Sequence, residues 1–231
     1  MKNQIVQLFT IFITNLAMIG LTHAGTTVPS VYSTGINDFY NPLTGDSIDF
    51  HYRLISSPPG SGFDQATYLV NTNAPSASSW VKNSPNGQWI GPANDISKMT
   101  TLKATGQYIY ETKFNLDRFE AATAEINGLW AVDDTSDGIL LNDVPIGFAR
   151  NGVTEFSSLQ PFSITSGFLP GINSLKFIVN NLPVTDAVNP TGLLVIMTST
   201  ATPLPIVPEP SAYVSILAGL FILIAIRHRL S

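Results

Sequence analysis

The sequence predicts an all-β chain, a single antiparallel β-sandwich of the jelly-roll kind, and three observations lead there. Apolar residues alternate with polar ones at a period of two in five separate segments, so each segment offers one apolar face. Clusters of Gly, Pro, Asn and Asp punctuate the intervals between them. Ser, Thr and Asn account for 60 of the 231 residues, and such side chains favour exposed strand and turn positions over helix interiors.

Taken in chain order, residues 1–24 read as a signal peptide. Lys2 gives a positive start, residues 5–21 are apolar but for Gln7, Thr10, Thr14 and Asn15, and Thr22-His23-Ala24 is a small-x-small site. Cleavage is expected between Ala24 and Gly25. The five alternating segments follow. Ile48, Phe50, Tyr52 and Leu54 share one face, with Asp49, His51 and Arg53 on the other. Tyr108, Tyr110, Thr112, Phe114 and Leu116 repeat the pattern, as do Ala124, Ile126, Trp130 and Val132. Leu175, Phe177 and Val179, then Leu193, Val195 and Met197, complete the set. Turns are expected at 57–60, 85–87, 137–138, 142–143 and 189–192, and residues 117–126 read as a short connection into a strand. Residues 25–197 suffice for one domain with a core. A strand at 49–54 would lack a partner within 25–80, so early strands are expected to complete a later sheet. Residues 198–210, with Pro203, Pro205 and Pro208, read as an extended stalk.

The C-terminus has three parts: Val207-Pro208-Glu209-Pro210-Ser211, fifteen uncharged residues at 212–226, and Arg227-His228-Arg229. The prolines hold the approach extended and Ser211 is a favoured helix N-cap. A helix over 211–226 is expected to cross a membrane, although fifteen residues rise only about 22 Å against a hydrocarbon core of about 30 Å. Such a span is short, and Arg227 and Arg229 must snorkel to complete it. Positive charge stays on the cytoplasmic side, so residues 227–231 belong there and the sandwich on the far side.

The order of these parts resembles the PEP-CTERM sorting signal of exported proteins in exopolysaccharide-producing bacteria, with Pro208, Glu209 and Pro210 as its motif. That resemblance implies recognition and processing by an exosortase, and a destination at the cell surface or in the extracellular matrix. The basic end, two arginines and a histidine, is lighter than the arginine run common in that family. Within the domain, the Trp130-Ala131-Val132-Asp133 segment, the Leu140-Leu141-Asn142 strand and the Gly171-Ile172-Asn173-Ser174-Leu175-Lys176-Phe177 strand look like the galactose-binding-like jelly roll of carbohydrate-binding modules. This implies a carbohydrate-binding type of fold without naming a ligand.

Composition excludes several chemistries. Charged residues make up 12%, the net charge is −5, and no Lys/Arg cluster lies outside the last five residues, so a nucleic-acid partner is not expected. No cysteine is present, which removes thiolate metal sites and cysteine nucleophiles. His51 is the one histidine between the two ends, and no G-x-S-x-G elbow accompanies it, so a serine hydrolase is not expected. The expectation is a non-catalytic domain that binds polysaccharide or is structural, with a carboxylate-pair glycosidase as the alternative from another class. An anchored envelope protein that is never processed is a further alternative. Trp80 and Trp89, in turn-rich sequence, are the candidates to stack on sugar rings, while Trp130 is in phase with the core. Asp133, Asp134 and Asp137 before Gly138 concentrate oxygen ligands where a calcium ion could sit, and the alternative is a turn whose aspartates cap backbone N–H groups.

Overall fold

The computed structural model describes residues 25–73, 77–94, 105–152, 154–184, 189–205 and 210–229. Ala24, Pro208 and Glu209 lie outside the described residues; Gly25 is exposed at their start. The strands are β1 (Thr26–Thr27), β2 (Tyr52–Ser56), β3 (Tyr68–Leu69), β4 (Ile90–Gly91), β5 (Gly106–Asn115), β6 (Phe119–Asp133), β7 (Thr135–Leu141), β8 (Val144–Gly147), β9 (Gln160–Ile164), β10 (Ile172–Asn181) and β11 (Gly192–Pro203). They form two antiparallel sheets. One runs β3-β4-β11-β6-β9, with β1 also on β11; the other runs β2-β5-β10-β7-β8.

The alternation read in the sequence sets the inner faces. Tyr108, Tyr110, Thr112 and Phe114 of β5 are buried, and β10 presents Val179, Phe177 and Leu175 directly opposite the first three. In the other sheet Trp130 and Val132 of β6 face Val195 and Leu193 of β11. These faces join in one core cluster spanning both sheets, and burial of such side chains from water is the main stabilising term. Gly128, in phase with that face, leaves the slot for the Phe162 ring: a Cβ there would lie 2.4 Å from it.

Early residues do complete a later sheet. β2 pairs with β5, and β1 pairs with the end of β11 at Thr26↔Ala201 and Thr27↔Thr200. Between β1 and β4, residues 28–34 close the same edge of β11 with bonds that use side chains. The Thr34 N–H donates to the Val195 carbonyl, the Val195 N–H donates to Thr34 Oγ1, and the Met197 N–H donates to Ser33 Oγ.

Three expectations are corrected. Phe50 is not a core residue: regular pairing begins at Tyr52, Asp49 turns inward and is fully buried, and Phe50 is 86% exposed. Residues 198–203 are not stalk, because β11 continues to Pro203, which pairs with Phe119. Asp137-Gly138 is not a turn but the middle of β7. At the C-terminus, helix α1 (Pro210–Arg229) holds both Arg227 and Arg229 in its last turn, and Ile216, Leu217, Leu220, Phe221, Ile222 and Ile226 are exposed on it. Among the described residues no helix is long and apolar enough to cross a membrane. All eleven strands and both apolar clusters lie within 25–205, so that fragment holds the complete core.

Candidate functional site

Trp80 and Trp89 do not form a ligand platform. They are 4% and 0% exposed and lie 4.3 Å apart between ring centroids. The turn-rich chain of residues 70–73 and 77–93 folds over the outer face of the β11–β6 sheet, where Val70, Ala77, Trp80, Trp89 and Ala93 cover Ala131 and Leu194. The Trp89 indole N–H donates to the Val81 carbonyl at 2.7 Å and its backbone N–H to Asn83 Oδ1 at 2.8 Å. A second, smaller core accounts for both rings.

Asp133, Asp134 and Asp137 are not gathered into a cation site. Asp137 Oδ2 accepts from the Gln107 amide at 3.0 Å, and Asp134 Oδ2 accepts from the Leu182 N–H at 2.8 Å. Asp133 is buried at the end of β6. Burial pushes its carboxyl well above the usual range, the neighbouring Asp134 adds to the rise, and a hydrogen bond with Trp80 opposes it. A buried carboxyl raised in this way is a poor ligand for a hard cation. Among the described residues no group of three or more His, Asp or Glu could hold a metal ion.

His51 is half-buried and immediately precedes β2. Its ring lies 3.7 Å from that of Tyr32 at 13°, and Tyr40 stacks on Tyr32 at 5.0 Å. Nδ1 is 2.8 Å from the Ile36 carbonyl and Nε2 is 2.9 Å from Asp38 Oδ1. The adjacent Asp49 accepts from the N–H groups of Gly35 at 2.7 Å and His51 at 2.9 Å. Burial raises its carboxyl, and those donors oppose the rise. These bonds fix two turns whose tips, Phe39 and Phe50, are 82% and 86% exposed. Beside the stack runs a groove of about 370 Å³ lined by Pro29, Tyr32, Asn115, Asp117, Arg118 and Phe119.

A more polar cleft lies elsewhere. It measures about 450 Å³ and is lined by Ser61, Phe63, Asp64, Tyr68, Ala93 and Asn94, among others. Phe63 sits against Tyr108 at 6.2 Å between centroids, near the start of β5, whereas Asn115 of the first groove ends that strand. Seven residues at about 3.3 Å each place the two clefts roughly 23 Å apart, at opposite poles of the sandwich. Tyr68 is positioned by its pairing with Gly91, and its hydroxyl donates to Asp64 Oδ2 at 3.1 Å, while Asp64 Oδ1 accepts from the Ala66 N–H. An aromatic wall with a carboxylate, an amide and a hydroxyl is the mixture that a pyranose ring uses, apolar on its faces and polar at its rim. Each of these clefts holds at most one carboxylate, so neither supplies the pair a glycosidase needs.

The sequence reading missed Phe63, Tyr68 and Asn94, which lie outside its five alternating segments. The Gly171–Phe177 motif proves structural. Asn173 is fully buried, donates to the carbonyls of Leu169 at 2.7 Å and Gly171 at 3.0 Å, and accepts from the Leu169 N–H and the Asn142 amide.

No family model matches the sequence, and no curated protein matches it. Among solved structures the chain is similar to a family 35 carbohydrate binding module from Clostridium thermocellum, at 8% identity and a TM-score of 0.30, over 68% of this chain and 98% of that one. It is also similar to CBM35 from Paenibacillus barcinonensis, at 11% identity and a TM-score of 0.30, over 77% and 99% of the two chains. A third likeness is to a family 35 carbohydrate binding module from an environmental isolate, at 12% identity and a TM-score of 0.26, over 44% of this chain and 74% of that one.

Proposed function

We propose that this chain is an exported surface or matrix protein whose β-sandwich binds polysaccharide without catalysis. The observation that carries the binding is the open cleft of about 450 Å³ in which Phe63 and Tyr68 stand beside Ser61, Asp64 and Asn94. A cleft of this size admits one or two sugar units, and the rest of a polymer leaves through its open sides. The test is affinity electrophoresis of fragment 25–205 through gels containing the producing organism's exopolysaccharide. Retardation is expected, and Tyr68→Ala and Asn94→Ala should each lower the affinity about tenfold, the loss expected when a stacking ring or a buried hydrogen bond is removed. Mobility unchanged by any polysaccharide would overturn the reading.

The route to the surface is the second part of the proposal. Residues 1–24 direct export, α1 anchors the chain, and an exosortase recognises Pro208, Glu209 and Pro210. The apolar residues of α1 are not confined to one stripe, as suits a helix surrounded by lipid rather than one lying on a surface. Replacing all three motif residues by alanine should make a longer, membrane-bound form accumulate. An unchanged mass and location would instead mark an anchored protein that is never processed.

A further inference from the structure

Of the exposed apolar side chains of the sandwich, the most exposed gather at one end, whereas Leu129, Leu182 and Val184, at 36–41%, lie elsewhere. Ile172 opens β10 opposite Asn115, and Leu169 lies in the turn before it. That turn meets the β5–β6 connection, where the Leu116 N–H donates to the Gly171 carbonyl. Val144 is exposed at the β7–β8 turn, which the bond from the Asn142 N–H to the Ser174 carbonyl brings to the same end. The groove beside Tyr32 belongs to this pole through Asn115 and Phe119, and Tyr32 links it to the turns of Phe39 and Phe50. Exposed side chains of this size grouped at one end mark a contact surface, where scattered ones would mean nothing.

The chain itself indicates what lies there. β11 ends at this pole: Pro203 pairs with Phe119, and the exposed Leu204 donates its N–H to the Arg118 carbonyl at 2.8 Å. Five residues separate Leu204 from Pro210, the first of α1, and the six steps between them reach at most about 21 Å when fully extended. Whatever surrounds α1 therefore begins within that reach of this pole. Arg118, exposed in the groove, has no ion pair among the described residues, which leaves a guanidinium for a phosphate.

We infer that this pole is a lipid-contacting face, which rests on the bilayer surface while α1 is inserted, with Phe39, Phe50, Leu169 and Ile172 at headgroup depth. This rests on the reading of α1 as an anchor. Tethering makes the contact intramolecular, so weak interfacial affinity suffices, and it adds to an anchor that is short for a bilayer. It also turns the polar cleft at the other pole away from the membrane.

The chain has no cysteine, so single labels report single places. Full-length Phe50→Cys, Ile172→Cys and Ser61→Cys variants, each carrying a fluorophore, would be reconstituted into vesicles of phosphatidylethanolamine and phosphatidylglycerol with a nitroxide on the headgroup. Quenching several-fold stronger at positions 50 and 172 than at 61 is expected. Equal quenching at all three, in a chain that floats with the vesicles, would overturn the lipid-facing pole and leave the anchor standing. A chain that does not float would overturn the anchor and this inference with it. A fluorescence change at 50 and 172 on adding exopolysaccharide but none on adding lipid would make the patch a glycan surface instead.

Discussion

Asp133 shows how one side chain can tie stability to pH. Burial raises its carboxyl, so the folded chain holds a proton that the unfolded chain releases above the ordinary carboxylate range. The sign follows: folding is favoured most below that range, and the contribution is lost as pH rises through it. Asparagine matches the acid in shape and carries no charge for burial to penalise. Asp133→Asn should therefore melt higher than the parent at neutral pH, by a few degrees, with the difference shrinking toward about pH 4. Thermal melts of fragment 25–205 across that range check this; a variant less stable at every pH would show that Asp133 acts as a carboxylate. The buried Arg150 is a contrasting case. It donates to Glu155, to the Trp130 carbonyl at 2.5 Å and to the Ser158 carbonyl, so its charge is paired and pins the chain before β9.

At the scale of elements, the period-two pattern located β5, β6, β10 and β11 because those strands have one face in the core and the other toward solvent or polar cover. The same rule failed at Phe50 and at the tryptophans for physical reasons. Asp49 could turn inward because two N–H groups were available to it there, and alternation carries no information about such donors. Trp80 and Trp89 sit in turns, and turns usually run over a surface; here they cover the outer face of a sheet and become core. The clefts were not legible at all, since each joins residues distant in sequence, as Tyr68 joins Asn94. Gly128 marks a close approach within the sheets: Gly128→Ala would drive a methyl group into the Phe162 ring and toward the Ile196 carbonyl. The expected cost is about 1–3 kcal/mol, read from denaturant unfolding. A neutral result would mean that β9 can move aside.

For the molecule as a whole, the boundary of the domain decides what can be made in isolation. Fragment 25–205 should unfold cooperatively, whereas 25–197 lacks the part of β11 that pairs with both Phe119–Asn127 and β1, and should be insoluble or melt broadly. Cooperative melting of the shorter piece would restore a stalk beginning at 198. The pairing of Thr26 with Ala201 has a further consequence, in time rather than in space. The first strand meets its partner only after nearly the whole domain has been made, because 174 residues of chain lie between the paired Thr26 and Ala201. Closing so long a loop is slow, and the edge sealed by residues 28–34 cannot form any earlier. A nascent chain built this way stays open until its last strand arrives.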